Sequence, residues 1–169
     1  MMKFKSWILG LGLLISNVAF SQTVQDGFRF LDRHQPSRAK QVFDGLVASA
    51  PTGENYFNLG LYYLHLRDWD NAKASFEKGK AADPKNYLNP VGLASILVGQ
   101  NNVSAAKVEF DKIIADTKSK NIDVLYRIAE AYSMYYILGK EESFNANNND
   151  PGEAIRLIDV IQERMLKDK

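Results

Sequence analysis

Two histidines, His34 and His65, are the side chains of this 169-residue chain best suited to acid–base or metal chemistry. Neither has a second histidine four residues away, the helical spacing that zinc hydrolases use. The chain contains no cysteine, which excludes disulfides, thiolate metal sites and cysteine nucleophiles. It also lacks the Gly-x-Ser-x-Gly elbow and the glycine-rich phosphate loop. The sequence therefore predicts no catalytic residue, no metal site and no cofactor, and we do not expect an enzyme.

For the acidic and amide side chains, a structural role explains the pattern better than catalysis does. Asp68 and Asp70 lie in a predicted turn, where Asp and Asn cap helix starts, so we predict capping rather than acid–base catalysis for them. The Asn-rich segment 141–150 could bind calcium through oxygen atoms, but it lacks the alternating acidic spacing of a calcium loop. The tripeptide that begins at Asn102 fits a glycosylation acceptor. None of these patterns identifies a reaction.

The charge of the chain is close to balanced. Its 21 basic and 20 acidic residues give a formal net charge of +1, and no basic run occurs beyond the first residues. Nucleic-acid-binding domains usually show a strong basic excess. We therefore predict neither nucleic acid nor an anionic membrane surface as the partner.

The first 21 residues have the three-part design of a secretory signal peptide. Lys3 and Lys5 provide the positive start, an apolar run follows, and Ala19-Phe20-Ser21 places small residues at the cleavage site. We predict removal of residues 1–21 and export to the periplasm or cell surface, without membrane insertion of the mature chain. The alternative is an uncleaved anchor, although the apolar run is shorter than the roughly 20 residues that a spanning helix needs.

Beyond the predicted leader, the sequence predicts helices with a repeating pattern. The middle of the chain reads Tyr56-x-x-Leu59-Gly60-x-x-Tyr63, then Ala72-x-x-x-Phe76, then Asp83-Pro84. Leu59, Tyr63 and Leu66 recur at helical spacing. Gly60 and Ala72 are small enough for two helices to approach closely, and Phe76 can fill the space towards the next helical pair. Asp83-Pro84 ends the second helix, because the residue before proline is disfavoured in helical geometry.

This pattern resembles the tetratricopeptide repeat (TPR), whose signature is Trp-x2-Leu-Gly-x2-Tyr, Ala-x3-Phe and Pro over about 34 residues. Tyr replaces Trp here. The alanine and phenylalanine recur at Ala106 and Phe110, and upstream at Ala39 and Phe43. The last unit begins with Ile128, Ala129 and Tyr132, but an insert near 139–151 precedes its Ala154. The resemblance covers residues 22–169, as repeats 22–52, 53–86, 87–121 and 122–169.

The predicted fold is all-α. The resemblance implies a right-handed superhelix of stacked antiparallel helix pairs, about four repeats long. The predicted helices are 23–33, 37–49, 53–66, 70–82, 88–99, 103–117, 121–139 and 152–167. The apolar last helix has no polar outer face, although repeat arrays usually end in one. The chain is therefore the N-terminal part of a larger TPR protein, or another subunit covers this face, or the insert folds over it.

The resemblance also implies a concave groove that receives an extended peptide or a helix of a partner protein. The residues that face it would be Phe57, Asn58, Leu61, His65, Val91, Ser95, Tyr126, Arg127 and Glu130. Apolar members of this set could instead pack only against neighbouring helices. The lysines and asparagines of a clamp for acidic C-termini are mostly missing, so we exclude that ligand.

Two functions follow from this interpretation. The first is an exported adaptor that binds a protein or peptide partner in the cell envelope through the groove. The second is a structural subunit that self-assembles into a homo-oligomer through its last helix. The identity of the partner does not follow from the repeats, because one scaffold serves many partners.

Overall fold

The computed structural model describes residues 23–118, 120–138 and 152–167, and the predicted leader, the insert and its Asn-rich segment lie outside these ranges. The described residues form helices and connecting turns without a strand, which confirms the all-α prediction. The helices are α1 (Val24–Asp32), α2 (Pro36–Ser49), α3 (Gly53–His65), α4 (Trp69–Ala82), α5 (Leu88–Gly99), α6 (Val103–Asp116), α7 (Ile122–Leu138) and α8 (Gly152–Lys167).

The helices pack as stacked pairs. Each odd-numbered helix packs against the even-numbered helix that follows it, and α1, α3, α5 and α7 pack successively against one another. The stack therefore has one side built from the first helix of each pair. No helix among the described residues has both the length and the apolar character that crossing a membrane requires.

Side-chain caps set where the helices begin. Thr23, Thr52 and Asp68 each accept a hydrogen bond from a backbone N–H three residues ahead. The hydrogen bonds that the Asp26 carboxylate accepts from the Thr23 backbone and hydroxyl hold the pKa of Asp26 below its usual range. Of the two predicted caps in the α3–α4 turn, Asp68 has this role, whereas Asp70 lies in the first turn of α4. An acidic residue is favourable there because of the helix dipole.

The turns inside the first three pairs share one geometry. His34, Arg67 and Asn101 have φ values of 55°, 57° and 62°, in the left-handed region. In each turn the N–H of this residue bonds a carbonyl three residues back, and the next N–H bonds a carbonyl five residues back. This arrangement is the Schellman motif that ends many helices. The repeat is therefore present in the backbone of the turns as well as in the core residues.

The alanine and phenylalanine that recur in the first three repeats lie in the core. Ala39, Ala72 and Ala106 have no exposed surface, and the same is true of Phe43, Phe76 and Phe110. As predicted, Phe76 fills the space between successive pairs. A Cβ atom placed on either Gly60 of α3 or Gly92 of α5 would lie 2.5 Å from Phe76 Cδ1. Glycine is needed at both positions because the ring occupies the space that a side chain would use.

The predicted apolar face of α3 is partly different. Leu59 is buried as expected, but Tyr62 is buried more deeply than Tyr63, and Leu66 is 43% exposed. Leu66 is exposed because α3 ends at His65. Leu66 is the C-cap residue and does not continue the apolar face of the helix. Tyr63 is half-buried and packs against two hydrophobic clusters, one that contains Phe43 and one that contains Phe76.

A buried amide joins the second and third pairs. Asn89 of α5 is completely buried, and its Nδ2 donates to the carbonyl oxygen of Gly53, 2.9 Å away. Its Oδ1 has no hydrogen-bond partner among the described residues and lies against Gly79 of α4, where a Cβ atom would collide with it. Asn89 thereby contacts the start of α3 and the last turns of α4. The sequence did not predict this contact.

Candidate functional site

A cavity of about 280 Å³ opens between α3, α5 and α7, on the side of the stack formed by the first helices. We call it the groove cavity. Its lining residues are Phe57, Leu61, Leu64, His65, Arg67, Trp69, Val91, Gly92, Ser95, Val98, Gly99, Arg127, Glu130 and Ala131. Three successive helical pairs therefore contribute to one concave surface.

Most of the residues predicted to face the groove meet at this cavity. The seven that line it are Phe57, Leu61, His65, Val91, Ser95, Arg127 and Glu130. Asn58 is buried in α3 and does not line it. Tyr126 is 55% exposed and lies beside it, with the centroid of its ring 5.8 Å from the Arg127 guanidinium carbon. That these residues bind a partner stays a prediction.

The interior of the groove cavity is apolar. Phe57, Leu64, Val91 and Val98 are buried side chains of its walls. Ser95 is the polar residue of the inner wall, and its Oγ donates to the Val91 carbonyl oxygen at 2.8 Å. Its hydroxyl proton is therefore engaged within α5. A ligand group that enters this space meets carbon atoms and should itself be apolar.

Charged residues surround the mouth. Arg127 Nη1 donates to Glu130 Oε2 at 2.7 Å, and the Arg127 guanidinium carbon lies 5.6 Å from the centroid of the Phe57 ring. Arg67, in the α3–α4 turn, is an exposed residue on another part of the lining, as is His65 at the end of α3. The lining thus includes Arg67 together with the ion pair of Arg127 and Glu130.

Trp69 and Gly99 form a part of the wall that the sequence did not predict. Trp69, the first residue of α4, lines the groove cavity and packs against Gly99 at the end of α5. A Cβ atom on Gly99 would lie 2.7 Å from Trp69 Cη2, so glycine provides the space for the indole. Trp69 lies between Asp68 and Asp70, in the segment that the sequence predicts as a turn. The signal available was the large size of tryptophan at a position where a polar turn residue would suffice.

A second cleft of about 660 Å³ lies between α4, α5 and α6. Leu93, Leu97 and Tyr87 contribute its apolar part, while lysine, aspartate and glutamate side chains of α4 and α6 surround it. These charges are of both signs and exposed. More charged residues therefore line the second cleft than the groove cavity.

The histidine and acidic side chains are dispersed in the part of the chain that the structure describes. Within residues 23–118, 120–138 and 152–167, no three histidine or acidic side chains come together in a way that could hold a metal ion. His34 lies in the α1–α2 turn and His65 is the last residue of α3, and both are exposed. The groove cavity instead presents apolar walls with charges at the mouth, an arrangement typical of a binding pocket.

Comparison with known proteins gives three findings. Residues 53–86 match the family model of the tetratricopeptide repeat. Tetratricopeptide repeat protein 1 of Schizosaccharomyces pombe is 31% identical over 81 residues, which are 48% of this chain and 8% of that protein, so this chain spans a small fraction of that relative. The crystal structure of MamA superimposes with a TM-score of 0.49 at 16% identity, over 89% of this chain and 82% of that one. Residues 53–86, which fold as the α3–α4 pair, therefore form a tetratricopeptide repeat.

Proposed function

We propose that this chain is an exported adaptor, which binds a peptide or a helix of a cell-envelope protein in the groove formed by α3, α5 and α7. The groove cavity is the observation that carries this proposal. Its inner walls are apolar and its mouth is charged, and helices from three successive pairs build it. A surface of this kind can accept a segment of another protein.

Two further observations support the proposal. The tetratricopeptide repeat at residues 53–86 belongs to a class of stacked repeats that serve as protein–protein interaction modules. Export and an envelope partner rest on the leader alone, with its two lysines, apolar run and small residues at the predicted cleavage site.

A pair of leucine substitutions tests the proposal. Leu61→Glu places a carboxylate in the groove cavity, whereas Leu66→Glu places the same group on an exposed leucine outside it. We expect the Leu61→Glu chain to recover its partner from envelope extract at least about tenfold less than the unsubstituted chain, because desolvating the new charge opposes binding. The Leu66→Glu chain should recover the partner normally.

The measurement is quantitative mass spectrometry of proteins captured by the tagged chain, after circular dichroism has shown that both variants are folded. Equal recovery by the two variants would contradict binding in the groove.

The alternative function is self-assembly through α8. Ile155 and Ile158 of this helix lie three residues apart, and they are 54% and 41% exposed. A second copy of the chain could cover them. In the same capture experiment, recovery of the chain itself without another protein would favour this alternative over the adaptor.

A further inference from the structure

We propose that Asn89 is a positioning residue for the groove cavity. Its buried amide holds α5 at one rotation and one height against α3 and α4, and the chain loses stability by burying it. Because α3 and α5 both line the groove cavity, their relative placement determines its width. This inference rests on the proposed function, since it gives Asn89 a part in the binding that takes place in the groove.

The amide of Asn89 lies where three helices meet. Asn89 is the second residue of α5 and is completely buried. Its Nδ2 donates to the carbonyl oxygen of Gly53, the first residue of α3. Its Oδ1 and Cγ occupy the space that a Cβ atom on Gly79 of α4 would need. A Cβ atom on Gly53 would lie 2.8 Å from the Asp83 Cβ atom and 3.2 Å from the Gly79 oxygen. The two glycines therefore provide the space that encloses the amide.

An amide is not the most stabilising group for this space. Oδ1 of Asn89 accepts no hydrogen bond from any residue that the structure describes, and a buried acceptor without a donor lowers stability. The amide cannot be turned over, because Oδ1 would then face the Gly53 carbonyl oxygen. That carbonyl belongs to the first turn of α3, where helix geometry already supplies the Phe57 N–H as a donor. A small apolar side chain should therefore give at least equal stability here.

The amide contributes direction instead of stability. A hydrogen bond restricts both distance and angle, whereas apolar contacts are non-directional and let packed helices slide or rotate. A single buried asparagine fixes the register of coiled-coil helices in the same way, at a cost in stability. The bond from Asn89 reaches a residue 36 positions earlier, in the preceding helical pair. It therefore fixes how the third pair is placed on the second.

Helix α5 transmits this placement to the groove cavity. Val91 and Ser95 follow Asn89 on α5 and line the cavity, and Phe57 and Leu61 of α3 line it as well. Because side chains in a packed interior leave little free space, a rotation or shift of α5 displaces its lining residues together. The hydrogen bond at the start of α5 therefore sets how far apart the α3 and α5 walls lie.

A double substitution removes the amide and fills its space. Gly79→Ala alone should lower the urea midpoint, because the added Cβ atom collides with the amide. Asn89→Ala in the same chain removes that collision, and alanine also favours the α4 helix at position 79. We expect the double variant to have a urea midpoint equal to or above that of the unsubstituted chain. It should nevertheless capture at least about threefold less partner from envelope extract, because α5 is no longer fixed.

Asn55→Ala is the matched control. Asn55 of α3 also joins two pairs, since its Nδ2 donates to the carbonyl oxygens of Leu46 and Ala50 at 3.1 and 2.8 Å. These oxygens lie at the end of α2, which does not line the groove cavity. We expect a lower urea midpoint, because two hydrogen bonds are lost, and normal capture of the partner by the folded chain. The two asparagines should thus affect stability and binding in opposite ways.

A second measurement follows α5 without the partner. Trp69 packs against Gly99 at the far end of α5, ten residues and about 15 Å along the helix from Asn89. Movement of the whole helix should shift the indole N–H resonance of Trp69 and the amide resonance of Gly99 in the isotopically labelled double variant, whereas a local change would not reach them. Asn55→Ala should leave both resonances in place.

Three results would overturn the inference. They are unchanged Trp69 and Gly99 resonances in the double variant, a urea midpoint clearly below that of the unsubstituted chain, and normal capture by the double variant when Leu61→Glu reduces capture. If Leu61→Glu also captures the partner normally, the proposed function fails. The Trp69 and Gly99 resonances, together with the urea midpoint, then decide whether Asn89 positions α5.

Discussion

Replacement of Phe76 by alanine should lower the free energy of unfolding by about 3–5 kcal/mol, the cost typical of a buried phenylalanine. The Phe76 ring has no exposed surface and fills the space between α3 and α5. The glycines on both sides of the ring, Gly60 and Gly92, have no side chains that could move into the space left behind. A domain of this size is commonly stable by only about 5–15 kcal/mol. We expect a large fall in the urea midpoint, measured by circular dichroism at 222 nm.

Phe30→Ala is the matched control for this substitution. Phe30 is also a helical phenylalanine, but its ring is half-buried and lies under the Arg38 guanidinium, 4.2 Å from the ring centroid. The loss of stability should be clearly smaller than for Phe76→Ala. Similar midpoints for the two variants would contradict the place given to Phe76 between the second and third pairs.

Gly60→Ala should also destabilise the chain, although alanine is intrinsically the better helix former by roughly 1 kcal/mol. The added Cβ atom would lie 2.5 Å from Phe76 Cδ1, so the ring or one of the helices must shift. Such overpacking typically costs about 1–3 kcal/mol. Phe76 also packs against Phe57, with ring centroids 5.8 Å apart, and Phe57 lines the groove cavity. We therefore expect both a lower urea midpoint and shifted amide resonances around the groove cavity.

Two comparisons isolate the cause of this effect. Gly45→Ala, at an exposed glycine of α2, should stabilise the chain by about 0.5–1 kcal/mol, because propensity acts there without a collision. The double variant Gly60→Ala, Phe76→Leu should be more stable than the sum of the two single effects predicts, since a smaller side chain makes room for the methyl group. Additive single effects would show that Gly60 and Phe76 do not compete for the same space.

The helices and their core were predictable because the repeat fixes both. The observed bounds of α1 to α8 differ from the predicted ones by one residue or less at each end. The alanine and phenylalanine of α2, α4 and α6 were expected in the core and are fully buried there. These positions depend on local helical spacing and on contacts that recur with the period of the repeat, so one repeat predicts its neighbours.

Contacts that occur once were not predictable in this way. The amide of Asn89 is buried against Gly53 and Gly79, which come from different helices. Asparagine is usually exposed, and nothing in its local sequence indicates a partner 36 residues away. Trp69 was missed for a similar reason, because its place at the groove cavity depends on the glycine at the end of α5.

The groove residues were predictable as a set but not individually. Seven of the nine positions that the resemblance to the tetratricopeptide repeat implied, on α3, α5 and α7, line one cavity. Asn58 and Tyr126 differ because a small rotation of a helix decides whether a flanking position faces the cavity, the core or water. That rotation is determined by packing against neighbouring helices, such as the Phe110–Tyr132 contact of α6 with α7, with ring centroids 5.3 Å apart.

Site-specific photocrosslinking in the producing cells tests most directly whether the partner occupies the groove. A benzophenone amino acid at His65, an exposed residue of the groove lining, should yield a covalent adduct with a second protein. The same group at Lys78, an exposed residue of α4 that lines neither cavity, should not. An adduct from Lys78 but not from His65 would contradict binding in the groove, as would an adduct composed of this chain alone.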